Sequence, residues 1–319
     1  MLEDKLPLVT IAIPTYNRAD SFLKEALQSA VTQTYKNIEI IVSDNFSTDN
    51  TEMIVKNFSD TRIKYVKQSK NIGAFNNYNY CVNTARGSFF HLLGDDDKID
   101  PDFVETCVNA IPKGHEPGVV FTGMRIINEN GDVISKFTNQ VGGFSDIDFF
   151  LGWFGLKIPL YLCSTLFNTK RLQKMGAFKS KTGHYMDTVA FLKLAIKFGR
   201  IDIRDVKGSF RRHSSNISGN VKNIKAWCED SLYVLDVMCD LLPENEAEIK
   251  KRGMFWFCRS NYDLASGIRN PMSRILTFLY IYRAFNYCYS PVSYMKGMKR
   301  LKARIKNHIN RFGFPLRKY

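Results

Sequence analysis

Short apolar, β-branched runs alternate with polar turns and helical stretches through the first third of the chain. Leu8 to Ile13, Ile38 to Ser43, Ile63 to Lys67 and Ser88 to Leu93 predict strands, and Ser21 to Gln33, Thr51 to Phe58, Phe75 to Ala85 and Asp102 to Ile111 predict helices. This alternation predicts an α/β fold in which a mostly parallel sheet is flanked by helices. A further strand is expected over Val119 to Ile127, then a turn at Asn130-Gly131-Asp132 and mixed structure to about His213. Beyond Lys222 the pattern is helical, broken at Pro243, Pro271 and Pro291, and no internal repeat appears. The expected organisation is one domain over 1–222, with halves at 1–111 and 112–222, and a helical region over 223–319.

Open parallel sheets bind ligands beyond the carboxyl ends of their strands, so the chemistry is sought there. Those ends carry Pro14-Thr15-Tyr16-Asn17-Arg18, Asp44-Asn45-Phe46-Ser47, Asn71-Ile72-Gly73 and Gly94-Asp95-Asp96-Asp97. Three adjacent carboxylates after an apolar strand point to a divalent cation, because like charges so close do not ionise cheaply without one. Oxygen ligands suit Mg²⁺ or Mn²⁺. The alternative is a solvated acidic turn capping the helix after Pro101. Tyr16 and Asn45 offer an aromatic face and an amide edge to a nucleobase, or else a core tyrosine and a turn-forming asparagine. Arg18 suits a diphosphate, or an exposed helix start.

Composition narrows the class. The 319 residues are 45% hydrophobic and 24% charged, which argues against a disordered chain or a multi-span membrane protein. Seven scattered cysteines without a Cys-x-x-Cys pair predict reduced packing residues rather than a disulfide framework or zinc site. The charged start Met1 to Lys5 and the short first apolar run predict no signal peptide, and the runs Ile275 to Tyr282 and Ala284 to Met295 are too short to span a bilayer.

The charge is uneven: residues 250–319 carry 16 Lys and Arg against one acid, Asp263, a net +15 that leaves −1 for the rest. Such a basic region suits a polyanionic surface. Arg274 to Arg283 and Tyr294 to Lys306 interleave basic with apolar and aromatic residues, as helices on anionic lipid do, although helices packed on the domain with a solvated basic edge fit equally. No nucleic-acid module signature is present, so no nucleic-acid partner is expected.

Taken together, Val9 to Arg18, Glu39 to Thr51, Asn71 to Gly73, Ala85-Arg86-Gly87, Leu93 to Asp97 and Pro101-Asp102 resemble the family 2 glycosyltransferases of the GT-A fold, in order from residue 8 to about 111. The resemblance implies an inverting, hexosyltransferase-type enzyme that uses a nucleotide-diphosphate sugar and a divalent cation, Mn or Mg. It implies a glycan or lipid-linked acceptor in bacterial surface polysaccharide synthesis, and a cytoplasmic protein peripheral on the inner face of the plasma membrane. Residues 1–111 would form the nucleotide-sugar half and 112–222 the acceptor half.

By position, Pro14, Thr15, Tyr16, Arg18, Asp44, Asn45, Asn71, Gly73, Asp95 and Arg212 would bind the donor. Asp96, with Asp95, Asp97 and His213, would hold the metal. Asp187, in a His184-Tyr185-Met186-Asp187 segment that resembles the family's Glu-Asp motif with Met186 in place of Glu, would be the general base; its alternative is a helix N-cap.

Two departures stand out: Gly94 replaces the usual first Asp of the DxD motif, and Asn45-Phe46 replaces the usual Asp-Gly. An amide at position 45 suits uracil or thymine N3–H or cytosine N3, so UDP, dTDP and CDP sugars remain open, UDP foremost. The competing readings are a nucleotidyltransferase, which should show a Gly-rich, Lys-containing loop where Pro14 to Arg18 stand, and a non-enzymatic basic membrane adaptor.

Overall fold

The computed structural model describes residues 6–213 and 223–299. In chain order these form β1 (Val9–Thr15), α1 (Leu23–Val31), β2 (Ile38–Asp44), α2 (Thr51–Lys56), β3 (Ile63–Lys67), α3 (Ala74–Thr84), β4 (Phe89–Leu92), β5 (Lys98–Ile99) and α4 (Phe103–Asn109). There follow β6 (Val119–Ile127), β7 (Val133–Phe137), α5 (Asp146–Phe154), β8 (Thr165–Asn168), α6 (Thr169–Lys174), α7 (Met186–Phe198) and β9 (Arg200–Arg211). Three long helices close the described chain: α8 (Ile224–Leu241), α9 (Glu246–Ala265) and α10 (Pro271–Ala284), with residues 291–299 also helical.

One sheet runs β3-β2-β1-β4-β8-β6-β9-β5, with β7 paired to β6. The first four strands are parallel. β1 and β2 are buried along their whole length, and that double-sided burial explains their near-continuous apolar runs. Side chains alternate between two cores: Val9, Ile11 and Ile13 face the layer of α1 and α4, while Ala12 joins the opposite core. Gly87 lets the entry to β4 approach β1, since a Cβ there would stand 2.6 Å from the Thr10 backbone nitrogen. The sheet beyond β4 is mixed, with β8 antiparallel to both β4 and β6, and β9 parallel to β6.

The C-terminal helices share the core that α7 builds on the sheet: Phe121, Phe167, Phe191, Leu235, Phe257 and Tyr262 belong to one buried cluster. On α10, Phe278 and Ile281 point into it, while Met272, Ile275, Leu276 and Leu279 stay exposed. Among the described residues no helix is long and apolar enough to cross a membrane. The cysteines are unpaired, six of them buried and Cys288 exposed. The expected basic stretch to Lys306 lies partly outside the described residues.

Candidate active site

A cleft of about 600 Å³ opens at the carboxyl ends of β1 and β4. Pro14, Arg18 and Asp95 to Asp97 line it, together with Tyr161, His184, Asp187 and Trp227. The carboxylate loop is held from behind by the end of β9. The Arg211 N–H donates to Asp97 Oδ1 (2.9 Å) and Arg211 Nε to the Asp96 carbonyl (2.9 Å). The rest of that fully buried guanidinium is engaged by Glu25 (2.8 Å) and by the Asn128 and Glu129 carbonyls, over the face of Phe22. Two residues on, His213 Nε2 stands 2.8 Å from Asp96 Oδ2, and Arg18 Nε lies 3.6 Å from Asp95 Oδ1.

Gly94 has a steric reason. A Cβ there would come within 2.9 Å of Asp96 Oδ1 and 3.1 Å of Asp97 Oδ2, so both carboxylates occupy the space a side chain would take. Burial pushes the Asp95 carboxyl up to about 6 against the pull of Arg18, with Asp96 adding to the rise. Burial, reinforced by Asp96, also holds the Asp97 carboxyl well above its ordinary range. A cation among them would reverse both effects. Among the described residues no three His, Cys, Asp or Glu side chains form a ready cage. Mg²⁺ and Mn²⁺ need only one or two protein carboxylates alongside substrate phosphates. Asp96, with His213 beside it, therefore fits such an ion.

At the other end of the strand edge, two loops clasp each other. The Asn17 N–H donates to Ser47 Oγ (2.8 Å), the Thr48 N–H to Asn17 Oδ1 (2.9 Å) and the Ala19 N–H to Asp49 Oδ2 (2.9 Å). Tyr16 and Phe46 stand exposed at this rim, Phe46 with φ 71° where a glycine would sit without strain. Asp44 is buried and accepts from the Ser47 N–H (2.8 Å) and the Tyr65 hydroxyl (2.5 Å).

Asn45 donates to Asn71 Oδ1 (2.9 Å) and accepts from the Ile72 N–H (2.9 Å), while Asn71 Oδ1 also accepts from the Gly73 N–H (2.8 Å). The structure thus joins Asn45, Asn71 and Gly73 as a latch between the ends of β2 and β3. Thr15 is buried, with its hydroxyl near the Asp95 carboxylate. Arg212 is exposed and its N–H donates to the Ile127 carbonyl (2.9 Å).

Asp187 is the second residue of α7, whose N-cap is Tyr185, so it is not the cap. Its Oδ1 accepts from the Thr188 N–H (2.7 Å), and burial pushes its carboxyl up to about 6. A carboxylate of that value is largely ionised at neutral pH yet basic enough to take a proton in a transition state. Tyr78 of α3 also lines the cleft, and burial, with the nearby Asp95, Asp96 and Asp187 charges adding to it, raises its hydroxyl pKa. Tyr78, Tyr161 and Trp227, and the anchoring role of Arg211, left no mark in the sequence.

Residues 10–169 match the sequence profile of glycosyl transferase family 2. An uncharacterized glycosyltransferase of Methanocaldococcus jannaschii is 32% identical over 144 residues, covering 44% of this chain and 50% of that protein. The chain spans half or less of the length of the first curated relatives it matches. Among solved structures, residues 1–349 of S. aureus TarS in complex with UDP-GlcNAc align with a TM-score of 0.61 at 16% identity, over 91% of this chain and 92% of that one. The mannosyltransferase PcManGT from Pyrobaculum calidifontis, in complex with GDP-Man and Mn²⁺, aligns with a TM-score of 0.56 at 16% identity, over 91% and 85% of the two chains. At such identities these two establish a shared fold, that of the GT-A glycosyltransferases.

Proposed function

The chain belongs to glycosyl transferase family 2, and from that premise we propose that it transfers a sugar, with inversion, from a nucleotide-diphosphate sugar to a hydroxyl of a glycan or lipid-linked acceptor in surface polysaccharide or glycan synthesis. The observation that carries the reading is one cleft lined both by Asp96, which meets His213, and by the Asp187 carboxylate, whose pKa burial raises. The donor's base would sit at the rim of Tyr16 and the Asn45–Asn71 latch, and its diphosphate near Arg18, Asp96 and His213. A divalent cation bound there would neutralise the diphosphate as it leaves; PcManGT was solved with Mn²⁺. Asp187 takes the proton of the acceptor hydroxyl while that oxygen bonds the anomeric carbon from the face opposite the departing nucleotide. Arg212 would add positive charge as the diphosphate leaves.

A thermal-shift panel tests the donor. One of the UDP, dTDP, CDP or GDP sugars, with Mn²⁺, is expected to raise Tm by mass action, about 2.7 kcal/mol at a hundredfold excess over Kd. No shift with any of them would sink the assignment.

The membrane partner rests on α10, whose Met272, Ile275, Leu276 and Leu279 stay exposed in a region without an acid after Asp263. Anionic vesicles are expected to float the protein at low salt, and Leu276→Asp with Leu279→Asp to release it without loss of Tm. Equal flotation on neutral vesicles would refute the electrostatic part.

A further inference from the structure

One buried carboxylate that the proposed mechanism does not use is Asp230. It is fully buried on α8, outside the matched segment, and receives four hydrogen bonds from one short loop. The Ser180 hydroxyl (2.8 Å) and the N–H groups of His184 (2.6 Å) and Tyr185 (3.0 Å) donate to Oδ2, and the Thr182 N–H (2.7 Å) donates to Oδ1. That loop also binds α8 through the Thr182 hydroxyl, which donates to the Ala226 carbonyl (3.0 Å). Trp227, a turn earlier, packs on the His184 ring at 4.4 Å and on Tyr185 at 5.3 Å.

Loop residues Thr182, Gly183 and His184 face the cleft, and the loop ends where α7 begins with Met186 and Asp187. α7 has no side-chain cap of its own at Tyr185. A helix start leaves backbone N–H groups unsatisfied. Here the Tyr185 N–H at the cap and the His184 N–H before it are met by a carboxylate from another helix. Asp230 therefore caps α7 from across the fold and sets where its first turn, with Asp187, enters the cleft.

We propose that Asp230 is the positioning residue for the general base: by gathering residues 180–185 it fixes Asp187 against the donor, which makes α8 part of the catalytic apparatus. This rests on the reading of Asp187 as the base. A buried carboxylate is costly unless its oxygens are hydrogen-bonded, and a tie needed only for packing could be apolar.

The test is Mn²⁺-dependent release of nucleoside diphosphate into water, with whichever of the UDP, dTDP, CDP and GDP sugars shifts Tm most. Asp230→Asn keeps the shape but loses acceptor capacity. It is expected to lower kcat about 10- to 100-fold with donor KM unchanged, since small misplacements of a reacting group cost that much. The double variant with Asp187→Asn should be no slower than Asp187→Asn alone, because positioning matters only while the base is present.

Ser180→Ala, which removes one donor and leaves the buried charge, should show a smaller loss with the same dependence on Asp187. It carries the comparison if Asp230→Asn fails to fold. Losses that multiply in the double variant, or a kcat at the wild-type level, would overturn the proposal. Wild-type protein that releases no nucleotide from any of the four donors would instead overturn the glycosyl-transfer reading beneath it.

Discussion

Asp187→Asn is expected to bind donor and metal as the wild type does and to lose roughly 10²- to 10⁴-fold in transfer, the range that general acid/base groups contribute. The amide preserves the shape and can still accept from the Thr188 N–H, so the first turn of α7 should stand. What it cannot do is take the acceptor's proton. The wild-type pH profile should carry the same residue's mark. With the carboxyl raised to about 6 by burial, kcat falls as pH drops through that value, because the protonated form has no capacity as a base. Asp95, also raised to about 6, would be kept ionised by a neighbouring cation in the donor complex, so the limb in kcat belongs to Asp187. In Asp187→Asn the limb should vanish along with the rate. A loss of only a fewfold, or an unchanged acid limb, would mean that another group takes the proton.

Asp96→Ala is expected to abolish metal-dependent donor stabilisation and to cut transfer by roughly 10²- to 10³-fold, the scale of removing one preorganised group from a developing charge. The side chain stands at an open loop whose backbone is held separately through Arg211 and the Asp96 carbonyl, so the fold should survive. Excess chelator should produce the same phenotype in the wild type and add little in the variant. Full activity of either would dismiss the metal at this position. His213→Ala should weaken Mn²⁺ binding more than it weakens binding of the nucleotide alone, since its ring meets Asp96 rather than the rim where Tyr16 and Asn45 stand.

Much of the fold was legible in the chain because β1, β2 and β4 are buried along their whole length. Double burial writes long β-branched runs, and the helices between them alternate cleanly with polar turns. β5, β7, β8 and β9 were not legible. β5 has two residues, and β9 alternates over Arg200-Ile201-Asp202-Ile203-Arg204 but changes phase at Asp205, where its pairing with β6 shifts register. Cross-chain pairing of that kind leaves no local pattern.

The strand-end loops that hold Arg18, Asn45, Asn71 and Asp95 to Asp97 could be located from sequence alone, since chemistry at the carboxyl ends of parallel strands follows from topology. Which atoms face the cleft was decided only in three dimensions. Asn45 turns its amide onto Asn71, Asp97 gives an oxygen to the Arg211 N–H, and Asp96 meets His213 across 117 residues of chain. The rest of the cleft lining depends on tertiary structure most of all. Trp227 and Asp230 lie in a helical region whose sequence shows only periodicity and charge; because α8 packs on α7, Trp227 lines the cleft and Asp230 binds the loop that borders it. Local sequence determines where a strand ends; the packing of distant elements determines what that end confronts.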